Sequence, residues 1–249
     1  MFVFTVVRTS TVIPFDDEDL APYAGMDVDF QMIDGGNREL LIAGTRDADA
    51  LIVLAEQIDR EVVANLTRCR SITRFGIGVD TLDIAAATER GIQVTNVPDA
   101  NYREVAVHAI ALALALSRRL PVLDRAIRES GWGPAMIGAV LRRPDAQTFG
   151  ILGMGRIGRR VAQMASAIGF KVLANDPFLD ADAIIECGAV PASRDEIVEQ
   201  SDVLSLHVPL LDSTRRIIDA DALGRMRPQS ILINVSRGGL VDEEALAAA

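Results

Sequence analysis

Residues 148–176, TFGILGMGRIGRRVAQMASAIGFKVLAND, decide the fold of this chain. The apolar run Phe149 to Leu152 is followed at once by Gly153, Gly155 and Gly158, then by an amphipathic stretch beginning near Arg156, a second apolar strand and Asp176. In such a strand–turn–helix each glycine has its own task. The first permits a tight turn, the second lets the backbone approach a pyrophosphate, and the third lets the helix pack closely on the strand. The helix N-terminus then presents unpaired N–H groups and a partial positive charge to the phosphates. Asp176 stands eighteen positions after Gly158, close to the offset of about 20 at which a carboxylate holds the adenosine ribose through its 2′-hydroxyl. A 2′-phosphate would be repelled there, so the expected cofactor is NAD rather than NADP. Gly153, Met154, Gly155, Arg156, Ile157, Gly158 and Asp176 form the candidate cofactor-binding set. Arg156 and Arg159 lie on the helix face, where solvated charge is the usual role.

The rest of the composition agrees with small-molecule chemistry. A chain of 249 residues with 49% hydrophobic content can build two domains, each with its own core. Its net charge of −10 argues against an electrostatic grip on nucleic acid or anionic lipid. Cys69 and Cys187 are the only cysteines and show no metal-like spacing, so reduced thiols, no metal site and a cytoplasmic setting are expected. The opening MFVFTVVRTSTV has no basic leader and reads as a first buried strand. The longest uncharged run, Val105 to Ser117, has thirteen residues, too few for a bilayer span of about 20, and reads as a buried helix.

Upstream of the glycine motif, short apolar strands alternate with helical stretches: Val3–Val7, Val28–Ile33, Ala50–Leu54, Ser71–Phe75 and Gln93–Asn96. That alternation produces a parallel sheet. Gly91 closes a helix that begins near Asp83, and Pro98 ends the following strand. Asn101 to Leu120 reads as one long helix, rich in Ala and Leu on most faces and expected to be buried on several sides at an interface. A first domain is therefore expected over residues 1–98 and a nucleotide-binding one over 99–249. Downstream come Lys171–Asn175, a helix Ala181–Cys187 closed by Gly188, a capping box at Ser193 and Glu196, and strands Val203–Leu206 and Ser230–Asn234. The polar segments HVPLLDSTR and VSRGG follow those last strands, where an open parallel sheet borders its ligand crevice.

Arg237, between the strand ILINV and Gly238–Gly239, is a cation at the mouth of that crevice. A guanidinium there can clamp a carboxylate through two parallel hydrogen bonds and polarise the adjacent carbonyl; its plainer role is to cap a turn. His108, on an apolar helix, reads as a hydrogen-bonded core histidine.

Five separated motifs, FGIGVDTLD (75–83), GIQVTNVPD (91–99), GMGRIG (153–158), SDVLSLHVPLLDSTRRIID (201–219) and NVSRGGLVDEEAL (234–246), closely resemble the D-isomer-specific 2-hydroxyacid dehydrogenases. The stretch EVAVHAIALALALSRRLPVLDRAIRESGW most resembles the C-terminal-binding-protein-like and phosphoglycerate-dehydrogenase-like branches. This resemblance implies an α/β protein with a flavodoxin-like substrate domain and a Rossmann-type, doubly wound NAD domain, acting as an NAD-dependent dehydrogenase on a small D-2-hydroxy or 2-keto acid. It implies that the backbone of Ile77 and Gly78 binds the substrate carboxylate and that Arg237 clamps it as the catalytic arginine. It implies too that Val208, Pro209 and the segment to Thr214, with Val235 and Ser236, line the cofactor, and that the protein is a homodimer through its long helix. His207 matches a family histidine that is not the proton donor and is expected to be a structural or cofactor-pocket residue. The family's catalytic glutamate and histidine would fall beyond Ala249, so the chain is expected to be a fragment of a longer dehydrogenase with its nucleotide sheet incomplete. Two alternatives stand beside this expectation: an NAD(H)-sensing interaction protein of the corepressor type, and an inactive fragment of the enzyme.

Overall fold

The computed structural model describes residues 3–12, 15–132 and 141–249. The chain divides into two compact units, Met1–Asn101 and Tyr102–Ala249.

The first unit is built from strands β1 (Phe4–Arg8), β2 (Val28–Met32), β3 (Ala50–Val53), β4 (Ser71–Arg74) and β5 (Gln93–Asn96), with helices α1 (Asp17–Leu20), α2 (Arg38–Thr45), α3 (Arg60–Asn65) and α4 (Ile84–Glu89). All strands run parallel in the order β2-β1-β3-β4-β5. This is the flavodoxin-like order, whose topological switch point lies between β1 and β3. Val7, Leu51, Val53 and Ile72 from the strands pack with Leu41, Val62, Val63, Ala86 and Ala87 from the helices into one core. Each helix starts where a short polar side chain takes its first amides: Asp16, Asn37, Asp59 and Asp83 accept from backbone N–H groups two or three residues on. Such caps stabilise a helix by about 1 kcal/mol each.

The second unit opens with α5 (Tyr102–Ser117) and α6 (Leu120–Ser130). Strands β6 (Thr148–Leu152), β7 (Lys171–Asn175), β8 (Val190–Pro191), β9 (Val203–Leu206) and β10 (Ile231–Asn234) then alternate with α7 (Arg156–Ile168), α8 (Ala181–Ile185), α9 (Arg194–Gln200) and α10 (Ala220–Arg225), and α11 (Glu243–Ala248) closes the chain. The parallel order β10-β9-β6-β7-β8 is the Rossmann pattern of five strands, 3-2-1-4-5 read from the other edge. Alternation along each strand supplies both faces. Phe149, Ile151, Val203 and Ile233 meet Ala106, Ala109, Ala113, Val161, Ala162 and Ala165 of α5 and α7 on one side. Leu152, Leu204 and Leu206 meet Ile197, Val198 and Ala222 of α9 and α10 on the other. The alanines let α5 and α7 approach each other closely.

Three expectations change. The long helix is two: α5 stops at Ser117, and α6 restarts at Leu120 with a 54° bend, because Arg119 takes a left-handed conformation and Pro121 begins a new helix. Within this unit α5 buries a single stripe, Ala106, Ala109, Ile110 and Ala113, rather than several faces. His108 lies off that stripe and is exposed, not a core histidine. Among the described residues no single helix is long and apolar enough to cross a membrane.

Candidate functional site

Strand register in the second unit brings the candidate residues to one level. Leu152 pairs with Asn175 and Leu206, and Leu206 with Asn234. Four strands therefore end together, and the residues that follow them, Gly153, Asp176, His207 and Val235, share the carboxyl edge of the sheet.

Gly153 has φ +95°, a conformation that favours glycine, and a Cβ there would stand 2.7 Å from the His207 carbonyl. Gly158, buried in the first turns of α7, would place a Cβ 1.9 Å from the Gly153 carbonyl oxygen. The fold itself demands both. Gly155 is different: it is exposed, its φ of −66° suits any residue, and a Cβ there would meet nothing within 4 Å. Its lack of a side chain leaves open space above the N-terminus of a 13-residue helix. Room and amide donors at that point suit a pyrophosphate.

Asp176 follows β7 with its carboxylate fixed by two backbone amides, Met154 N–H on Oδ2 (2.7 Å) and Phe178 N–H on Oδ1 (3.0 Å). Each oxygen keeps a lone pair for a ribose hydroxyl. Met154 thus contributes its amide to the acid while its side chain is buried. Ile157 is half-buried against the core, Arg156 is exposed at the first helical position, and Arg159 turns back to donate to the Met154 carbonyl (2.9 Å). The residues present therefore fit a bound dinucleotide.

After β9, Thr214 Oγ1 donates to the Pro209 carbonyl (2.6 Å) and accepts from Leu211 N–H (2.8 Å), closing the loop that begins with Val208 and exposed Pro209. Val208 itself packs on the core. His207 Nε2 bonds Ser205 Oγ (2.9 Å), while Nδ1 is buried without a hydrogen-bond partner. Burial pushes this imidazole down to about 4 from its ordinary 6.5, so it stays neutral at physiological pH.

After β10, sequence reasoning missed Asn234. Its Oδ1 accepts from Ser236 N–H (3.0 Å) and its Nδ2 donates to the Arg237 carbonyl (2.8 Å), so one side chain folds the turn that carries Arg237. Ser236 Oγ ties the same turn to the Leu206 carbonyl (2.9 Å), and Arg237 Nη1 donates to the Ser236 carbonyl (3.0 Å). The only signal was a polar residue ending an apolar strand. Val235 and Asn234 also line an open groove of about 500 Å³ with Glu104, Val105, His108 and Leu112 of α5. In the first unit, Ile77 and Gly78 follow β4 and are half-buried, and Asn96 Nδ2 holds the Ile77 carbonyl (2.8 Å).

Two parallel sheets and a glycine turn with its acid define an α/β dinucleotide-binding protein. Residues 110–249 match the family model of the D-isomer specific 2-hydroxyacid dehydrogenase, NAD binding domain. The chain is 38% identical to D-3-phosphoglycerate dehydrogenase of Mycobacterium tuberculosis over 224 residues, 90% of this chain and 42% of that protein. It is 37% identical to glyoxylate reductase of Korarchaeum cryptofilum over 213 residues, 84% of this chain and 64% of that one. Among solved structures, D-lactate dehydrogenase from Aquifex aeolicus complexed with NAD and lactic acid superposes with TM-score 0.85 at 28% identity, covering 98% of this chain and 72% of that one. A glyoxylate reductase from Paecilomyes thermophila gives TM-score 0.85 at 31% identity, covering 100% and 78%. The chain belongs to the D-isomer specific 2-hydroxyacid dehydrogenase family; its second unit is the family's NAD-binding domain, and NAD is its cofactor. It spans less than half the length of the phosphoglycerate dehydrogenases it matches.

Proposed function

We propose that this chain serves an NAD-dependent oxidoreductase that moves a hydride between the cofactor and C2 of a small D-2-hydroxy acid or its 2-keto acid. The supporting observation is the common level of four strand ends in the second unit, which sets the glycine turn, Asp176 and the Arg237 turn along one edge. Bound NADH supplies the hydride. Gly153 to Gly158 cradle the pyrophosphate, with the exposed Arg156 beside it, and Asp176 takes the ribose. The loop Val208–Thr214, Val235 and Ser236 border the nicotinamide half. Arg237 holds the substrate carboxylate and polarises the neighbouring carbonyl. The Ile77 and Gly78 amides contribute to carboxylate binding from the first unit. His207 is not the proton donor: it is neutral at working pH, and its Nε2 is committed to Ser205. The relatives named above are dehydrogenases and reductases, which favours an enzyme over a corepressor-like sensor.

We also propose that a second copy of the chain covers α6. This helix buries no residue, and Leu120 (53% exposed) and Ile127 (43% exposed), seven positions apart, lie on one outward side of it. Exposed apolar patches of this kind mark association sites.

The test of the site is Arg237→Ala, titrated calorimetrically with oxalate in the presence of saturating NADH. Losing charge-assisted hydrogen bonds worth about 1.5–3 kcal/mol predicts at least about tenfold weaker oxalate binding. NADH affinity should stay within about twofold, because no cofactor contact is assigned to the guanidinium. Equal oxalate affinity in the variant refutes the assignment.

A further inference from the structure

The strand order of the second unit gives a bound dinucleotide a direction. With the pyrophosphate on the glycine turn after β6 and the adenosine ribose on Asp176 after β7, the nicotinamide half runs the other way, because β9 and β10 lie on the opposite side of β6. The end of β10 is two strand spacings of about 4.8 Å from the turn. At that end lies the open groove of about 500 Å³ between α5 and the residues Asn234 and Val235.

Val105, Leu112 and Val235 give the groove apolar walls that suit a flat ring. Its polar lining is Glu104, His108 and Asn234. The Asn234 amide is engaged in its own turn, accepting from Ser236 N–H and donating to the Arg237 carbonyl. Glu104, exposed in the first turn of α5, is the one acid of the lining, and His108, four residues on, shares its side of the helix. Among the described residues no lysine or arginine lines the groove. Two arginines flank it in sequence: Arg103 Nε donates to the Tyr102 hydroxyl (3.0 Å), and Arg237 Nη1 to the Ser236 carbonyl (3.0 Å).

NAD+ and NADH differ in charge only at the ring, which is cationic when oxidised and neutral when reduced. A carboxylate beside that ring stabilises the oxidised form and leaves the reduced form nearly unaffected. Resting on the cofactor placement proposed above, we infer that Glu104 lies beside the nicotinamide and biases the site toward the oxidised cofactor, so that reduction of a 2-keto acid is favoured on the protein. The same carboxylate stabilises the positive charge that develops when hydride leaves for C2. An acid in the first helical turn also complements the helix dipole, so a change in stability alone does not test this role.

The experiment is calorimetric titration of the full chain with NAD+, NADH and ADP-ribose, before and after Glu104→Gln, at a pH above histidine's ordinary value of about 6.5. Glutamine keeps the length and polarity of the side chain and removes its charge. NAD+ should bind about three- to tenfold more weakly, the range for a solvent-screened carboxylate, while NADH and ADP-ribose stay within about twofold. Arg103 and Arg237 are the same in both proteins, so the ratio of NAD+ to NADH affinity reports the one carboxylate. Glu104→Asp keeps the charge and should hold most of the parent ratio. A ratio that Glu104→Gln leaves unchanged overturns the inference, and so does an equal change for all three ligands, which marks repulsion of the phosphates or a disturbed helix. Failure of the parent to bind NADH overturns the proposed cofactor placement itself, an outcome separate from tight binding with an unchanged ratio.

Discussion

Replacing Gly155 with alanine separates what the turn after β6 does for the fold from what it does for the cofactor. The backbone there needs no glycine, and the added methyl has no neighbour within 4 Å. Alanine is a poorer helix N-cap than glycine by about 1 kcal/mol. Lower entropy of the unfolded chain offsets about 0.4–1 kcal/mol of that. Thermal stability should therefore move by no more than about 2–4 °C. Cofactor binding should suffer much more, because the methyl stands where the backbone must approach the pyrophosphate. Loss of one charge-assisted hydrogen bond costs about 1.5–3 kcal/mol, which weakens NADH about ten- to hundredfold. Gly158→Ala is the contrasting variant. Its Cβ would sit 1.9 Å from the Gly153 carbonyl oxygen, and neither group has a rotatable bond that relieves the clash. The helix must shift, at a cost of about 1–3 kcal/mol or more, and stability and NADH affinity should fall together. Calorimetric NADH titration beside thermal unfolding reads both variants. A Gly155→Ala protein that binds NADH as tightly as the parent refutes the pyrophosphate cradle.

Two further outcomes follow from other parts of the second unit. His207 is held near 4 in the fold and titrates at 6.5 when exposed, so the unfolded chain binds the extra proton first; its contribution is intact above pH 6.5 and is lost as pH falls toward 4. The loss amounts to at most about 3 kcal/mol. His207→Gln should flatten the stability profile between pH 6.5 and 4 in denaturant titrations, and an unaltered slope counts against a buried neutral imidazole. For the α6 face, Leu120→Glu with Ile127→Glu should convert dimers to monomers in sedimentation equilibrium at micromolar concentration; a parent protein that is already monomeric there, or a variant that remains dimeric, removes the proposed interface.

The β6–α7–β7 unit was legible because its signals are local: a glycine triplet, a 3.6-residue apolar period and an acid at a fixed offset. Strand positions in the first unit were legible for the same reason, to within one residue at most ends. The break at Arg119 was not, although Pro121 stood in view, because a left-handed residue between two helical stretches carries no compositional mark. Strand β8, two residues long, exists only through its pairing with β7. His108 was misplaced because α5 buries a narrow alanine stripe, and apolar composition elsewhere on the helix says nothing about which face is covered. Asn234 escaped because its work is to fold its own turn, which sequence spacing does not distinguish from a strand end. Register was invisible as well. Only the pairing of Leu152, Asn175, Leu206 and Asn234 brings the glycine turn, the acid and the arginine turn to one level.

The two carboxyl edges differ in how their helix starts are closed. In the second unit, the segments after the strands carry Arg215, Arg216 and Arg237 beside Asp176, Asp180, Asp212, Asp219 and Asp242, and the N-terminus of α7 has no side-chain cap. In the first unit, side-chain caps close the starts of α1, α2, α3 and α4. The uncapped amides of α7 therefore leave an anion a place that the capped helices of the first unit do not offer.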